Sequence, residues 1–447
     1  MCSIFVATPD FTKNEKLIFG KNSDREPNEA QGIIRIPSME RTDKTVECTY
    51  KTIPQVNYTH EILISRPFMK WGAEMGINRY GLVIGTNAVF SKLKPTRKNE
   101  GLIGSDLVRL ALERCTSASQ ALSHIIELIE KYGQEGFSGY QNKKYFPYHS
   151  FLIADRQEVW LLETAAQHWV AKKVHGFYAL ANSYTIGEEF DMSSKDLIEF
   201  ALTQRWLKKG KNFSFKDAFG DESYARTMKA THRLNFMKNF AHEHKKSFDV
   251  AHAMQLLSST HIPEKSFNPS KSSPKSIAQY ATGSFHWQQT NNSMVAEVSH
   301  SGTHTCWFTG TSSPKTSIFK PFFIPGANLY EGIFKEPGML IDDSLWWQAE
   351  AFHREVFTNY QAARQTFEQE RSMLQEKFLT ETEKLLAQQH PAPEQLTKHS
   401  NDCLHIHLKK IKEWRYRLKK SKIPQRQFSP FYNHFIRKIT KKVTPIV

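Results

Sequence analysis

Met1-Cys2-Ser3-Ile4-Phe5-Val6-Ala7, and the polar run Gly20-Lys21-Asn22-Ser23-Asp24-Arg25 that follows, decide how the rest of this chain is read. Cysteine is the second residue. An initiator Met before so small a side chain is normally clipped, so the expectation is that Cys2 becomes the first residue. A terminal Cys carries a thiol and a free α-amine on one residue. That amine titrates at about 7.7–8.0, so near neutral pH it takes the thiol proton and later returns a proton to a leaving amine. The apolar runs Cys2 to Ala7 and Lys16 to Phe19, with Pro9-Asp10 and Lys13-Asn14-Glu15 between them, read as a hairpin. Its second strand delivers the polar run beside the chain start. There a cation lowers the pKa of a thiol and a carboxylate orients an amine.

These residues resemble the N-terminal-nucleophile (Ntn) cysteine hydrolases, and most of all the secernin branch of the C69 dipeptidase family. In that branch Gly-Lys-Asn-Ser-Asp-Arg follows the first hairpin. The resemblance places the catalytic cysteine on Cys2 and the active-site aspartate on Asp24. Related bile-salt and penicillin acylases have an arginine where this chain has Lys21; lysine keeps the charge and loses the bidentate fork. The fold implied is α+β, an Ntn αββα sandwich of two stacked antiparallel sheets with helices outside. Dipeptides are the implied substrate class.

Composition is compatible with that fold. The chain has 447 residues, 39% hydrophobic and 12% aromatic, which is globular rather than disordered. Five scattered cysteines with no CxxC spacing indicate neither a disulfide framework nor a zinc site, and a reducing, cytoplasmic setting is expected. No signal peptide and no membrane-spanning apolar run is recognised. The net charge of +15 is uneven. From Asn401 to Val447 there are 13 Lys and Arg against Asp402 and Glu413, so the tail carries +11 and the body is close to neutral.

Further along, Glu61 to Ser65 and Gly81 to Ala88 read as strands around the turn-rich Trp71-Gly72-Ala73-Glu74-Met75-Gly76 block, which is family-like. At Gly85-Thr86-Asn87-Ala88 the family pattern leads one to expect an acidic residue near Asn87. Helices are expected from Gly104 and over Ala118 to Tyr132, where Ala121, Leu122, Ile125, Ile126, Leu128 and Ile129 make an apolar face. Four short runs from Phe151 to Ala181 read as an antiparallel meander ending at Asn182. The acylase resemblance makes Asn182 an oxyanion donor. Ser194 to Lys209 and Ser223 to Phe240 read as helices; within the second, Arg226 resembles a second family arginine, with Arg233 about two turns on as its competitor. Pro263 to Ser276 reads as an exposed loop. The Gln289-Thr290-Asn291-Asn292-Ser293-Met294 block is again family-like, with Ser284 where many members keep a cysteine. Trp307 to Pro321 is the most distinctive secernin-like segment, a strand, a hydroxyl-rich turn and a second strand.

The chain divides by this reading into an Ntn-like body (1–340), one long helix (341–390) packing on the body or on a partner subunit, and a basic helical tail (391–447). No cofactor and no metal is expected, because His405 and His407 lack further ligands at zinc spacing. The catalytic set that the resemblance implies is Cys2, Asp24, Asn182, Lys21 and Arg226. The partners considered are a small peptide or amide substrate, a second copy of the chain, and an anionic membrane surface or nucleic acid for the tail, against the favoured reading of the tail as a solvated basic face on a docked C-terminal hairpin. Two other readings stay open: a non-hydrolytic secernin-like protein on an Ntn scaffold, and a protein that works through its basic tail.

Overall fold

The computed structural model describes residues 2–283, 286–327, 335–388, 391–424 and 428–441, so Ser284 lies outside the described residues. Strands β1 (Ser3–Ala7) and β2 (Leu17–Arg25) form the hairpin, with Ser3 opposite Asn22 and Ala7 opposite Ile18. Phe5 lies across from Gly20, where a Cβ would meet the Phe5 ring at 2.1 Å, so only glycine leaves room for it. After β3 (Gln31–Ile36) come four short strands, β4 (Met39–Glu40), β5 (Thr45–Glu47), β6 (Thr52–Pro54) and β7 (Tyr58–Thr59), pairing β4 with β7 and β5 with β6. Then follow β8 (Ile62–Pro67), β9 (Met75–Asn78) and β10 (Val83–Val89). Helices α1 (Gly104–Arg114) and α2 (Ala118–Tyr132) come next; the Ser117 side chain caps α2 by accepting from the Gln120 N–H, and the six apolar residues of its expected face are all buried.

The expected meander divides between two sheets. Strands β11 (Tyr148–Ala154), β12 (Val159–Ala165) and β13 (His168–Lys173) stay together, whereas β14 (Phe177–Leu180) pairs with β1, Ile4 opposite Leu180. The residues after β14 are thereby brought to the start of the chain. A two-residue strand β15 (Met192–Ser193) is followed by α3 (Leu197–Thr203), α4 (Phe215–Phe219), α5 (Glu222–Thr227), α6 (Ala230–Glu243) and α7 (Val250–Leu257). The helix read over Ser194 to Lys209 is thus only the short α3. The one read over Ser223 to Phe240 is two helices, broken at Lys229, which adopts a left-handed φ of 50°. The loop from Pro263 to Ser276 is not wholly exposed, because Phe267, Asn268 and Ser276 are buried.

With β16 (Gln289–Val298), β17 (His304–Phe308) and β18 (Lys320–Ile324) the sheets are complete. One runs β14-β1-β2-β16-β17-β18 and the other β15-β13-β12-β11-β10-β9-β8-β3, antiparallel throughout. They stack face to face: β1 touches β10 and β11, and the Phe19 and Lys21 side chains pack over Gly85. Helices α1 and α2 pack on the second sheet, and α6 and α7 on the first. This is an αββα sandwich.

The remainder of the chain packs on the body. The single long helix expected within 341–390 is α8 (Leu345–Phe357), α9 (Tyr360–Ala363) and α10 (Glu368–Leu386), with turns between them that let Phe352 and Phe367 meet. Helix α11 (Pro393–Lys420) starts on a proline, which suits a first turn. It buries Leu396, Cys403, Leu404, Ile411, Trp414 and Leu418 against β18 and α8, sharing the apolar core of the first sheet. Several of its cations are used within the fold: Lys410 and Arg417 on Glu370, Arg415 on Glu355. Helix α12 (Pro430–Lys441) follows. Among the described residues no helix is long and apolar enough to cross a membrane.

Candidate active site

Because β1 lies between β14 and β2, three segments converge at Cys2. Its backbone N–H donates to Asn182 Oδ1 at 2.7 Å, and its sulfur lies 3.9 Å from the Asp24 carbonyl oxygen. The residue is 5% exposed. Asn182 ends the β14 segment with φ 59°, a left-handed conformation that asparagine tolerates better than most residues. Its Oδ1 also accepts from Arg233 Nη2 (2.9 Å), and its Nδ2 donates to Asn87 Oδ1 (2.6 Å) and to the Ala88 carbonyl (2.8 Å). Two donors meet the oxygen and two acceptors meet the nitrogen, so the orientation of the amide is fixed by its partners. Asn182 was expected to donate to an oxyanion. Here both its N–H groups are committed, and it acts as an acceptor that holds the Cys2 nitrogen. The spare donor belongs to its neighbour: Asn87 Nδ2 is buried and has no hydrogen-bond partner among the described residues.

The arginine at the site is Arg233, not Arg226. Arg226 is exposed and pairs with Glu222 one turn back on α5. Arg233 lies on α6, fully buried, and donates through Nη1 to the Cys2 carbonyl (2.8 Å) and Ser3 Oγ (3.2 Å). The break at Lys229 separates the two residues onto different helices and turns only the second inward. Burial pushes the Arg233 guanidinium below its usual pKa range, against the pull of Asp24.

Asp24 is buried at the end of β2. A register shift between Thr290 and Asn292 marks a bulge in β16 opposite it, and Thr290 Oγ1 donates to Asp24 Oδ1 at 2.6 Å. Burial raises the Asp24 carboxyl to about 6, against the lowering effect of the amino terminus, the Thr290 hydrogen bond, Arg233 and Lys21. Lys21 is fully buried. Its Nζ lies 3.6 Å from Glu74 Oε2, within an ion cluster that also contains Arg25, Glu29 and Lys70. Burial opposes the charge on Glu74, but Arg25, Lys70 and Lys21 together hold it well below the usual carboxylate range. Lys21 thus acts on the site by its charge, which lowers the Asp24 carboxyl, and no direct bond to Cys2 is seen among the described residues. Thr290 and Glu74 were quoted from the sequence only within family-like blocks, without a role at the site. Asn87 was noticed only as a departure from an acidic expectation.

Two stacked sheets with helices outside, and a buried cysteine at the head of an inner strand beside an aspartate, define the class, a cysteine amide hydrolase of Ntn architecture. The model of peptidase family C69 matches residues 46–373, and the chain belongs to that family. Asn87, Asn182 and Arg233 fall inside the match; Cys2 and Asp24 precede it. Among solved structures the chain is similar to a variant of conjugated bile acid hydrolase from Clostridium perfringens, 12% identical over 73% of this chain and 94% of that one, with a TM-score of 0.42. Penicillin V acylase from Agrobacterium tumefaciens is 14% identical over 75% and 89%, with a TM-score of 0.39. The Caenorhabditis elegans ortholog of N-acylethanolamine-hydrolyzing acid amidase is 11% identical over 66% and 92%, at 0.35.

Proposed function

We propose that the chain is a dipeptidase, or a hydrolase of similarly small amides, with Cys2 as its nucleophile once Met1 is removed. The observation that carries this reading is the seating of the Cys2 nitrogen on Asn182 Oδ1, with the thiol on the same residue turned to the Asp24 carbonyl. Removing Met1 converts that nitrogen to an amine already held in place. The amine takes the thiol proton, and sulfur attacks the scissile carbonyl. Asn87 Nδ2 stabilises the resulting oxyanion, a role in which a preorganised donor in a dry site contributes about 3–4 kcal/mol. Collapse of the tetrahedral adduct breaks the C–N bond, and the ammonium returns its proton to the leaving amine. Water, deprotonated by the Cys2 amine, then splits the thioester and restores the thiol. Arg233 and Asn182 hold the nucleophile, and Asp24 balances the charge of the amine.

Cys2→Ala in the purified chain tests the mechanism: hydrolysis of a dipeptide panel should be lost, and retention of wild-type rates would refute it. The burial of Cys2 favours a second reading, a non-hydrolytic protein on the same scaffold. Labelling with a thiol-reactive amide analogue separates the two, since an idle Cys2 should react no faster than the buried Cys48 or Cys115. Five free cysteines are consistent with a reducing, cytoplasmic setting.

A further inference from the structure

Helix α12 roofs a cavity of about 380 Å³ that the proposed chemistry does not use. The helix is tied down at both ends. At its start, Phe431 rests on Gly283, where any Cβ would meet the ring at 2.3 Å and where φ is 150°. At its finish, the buried Asn28 donates to the Ile439 carbonyl at 2.8 Å, and Arg354 Nη1 reaches Thr440 Oγ1 at 3.5 Å. Between these anchors Tyr432, Asn433 and Ile436 line the cavity. Protein interiors leave few voids larger than a water molecule, whereas small-molecule pockets run from about 300 to 1,000 Å³. This partly open space falls within that range.

Its lining has two characters. Tyr280, Phe357, Tyr432, Ile436 and Ile439 offer an apolar surface. The same lining includes Gln289, Ser312, Glu350 and Arg354. Glu350 is already engaged, by Arg354 Nε at 2.8 Å, by the Ser312 hydroxyl and by Gln289 Nε2 at 3.4 Å, so it has little left for a ligand cation. Arg437, exposed on the rim, is in no ion pair among the described residues. The charge available to a ligand is therefore positive.

We propose that this cavity binds a small amphipathic anion, an aromatic or aliphatic body carrying one carboxylate or sulfonate, with the body under Tyr432 and Ile436 and the charge at Arg437. The site is independent of the hydrolase reading. It nevertheless reaches the catalytic centre, because Thr290 both lines the cavity and donates to Asp24. An occupant is thus one hydroxyl away from Asp24.

The test uses the full chain and anilinonaphthalene sulfonate, an apolar anion that fluoresces when buried. Saturable binding at one site is expected. The uncharged analogue phenylnaphthylamine should bind about tenfold more weakly, as should the sulfonate to Ile436→Trp, which fills the space, and to Arg437→Glu, which reverses the rim charge. Circular dichroism checks that both variants fold. In the wild-type chain, bound probe should slow backbone hydrogen exchange in 279–290 and 430–441, a readout that needs no variant. Equal binding to both folded variants, or no change in exchange in those two segments, overturns the proposal. Cys2→Ala should bind the probe as wild type does, so loss of hydrolysis leaves this result unaffected.

Discussion

At the scale of single residues, the division of labour between two asparagines is the point most open to attack. Asn182 has every polar atom engaged, whereas the buried Nδ2 of Asn87 has no acceptor among the described residues. Asn87→Ala should therefore lower kcat by about 10²–10³ with little change in KM, as loss of an oxyanion donor does; steady-state kinetics on the best dipeptide checks this. Asp24 gives a second prediction, in stability. Its carboxyl ordinarily titrates at 3.8 and is raised to about 6 by burial. In that window the unfolded chain gives up its proton first, so native stability falls as pH rises from about 4 to 6 and stays reduced above it. Asp24→Asn keeps the acceptor for Thr290 and removes this cost. The variant should match wild type near pH 4 and be more stable by up to about 3 kcal/mol above pH 6, at the expense of activity; urea unfolding at the two pH values measures it. Cys2, Asp24 and Asn182 could be singled out from the chain alone because they sit in recognisable local runs. Arg233 could only be a rival to Arg226, because the choice rests on a left-handed Lys229 that no glycine or proline marks.

At the scale of elements, helices with a steady apolar face were legible and changes of partner were not. The α2 boundaries follow from Ser117 and six apolar residues in register. Nothing in the alternation of β11 to β14 says that the last strand leaves its neighbours to pair with β1, since each strand is locally the same whichever sheet it joins. In the basic tail, charge dominates the composition, while the stripe Leu396, Cys403, Leu404, Ile411, Trp414, Leu418 decides where α11 packs. Trp414 is fully buried, and its Nε1 donates to Glu370 Oε2. Trp414→Ala should cost about 3–5 kcal/mol of stability, as large-to-small changes at aromatic core positions do. Thermal unfolding should show one transition at lower temperature. A separate early transition for α11 would mean that the helix is not part of the core.

For the molecule as a whole, the sheets, the bulge and α6 bring the Cys2 nitrogen, its thiol, Asp24, Asn182 and Arg233 together between stacked sheets. The central claim is that this nitrogen is freed and the thiol beside it is acylated. The most direct measurement is peptide-resolved mass spectrometry of the purified chain after brief incubation with a slowly hydrolysed acyl amide. The account predicts a chain that begins at Cys2 and carries one acyl group on that residue. A chain that keeps Met1, or an acyl group found instead on Cys48, Cys115, Cys306 or Cys403, would contradict it.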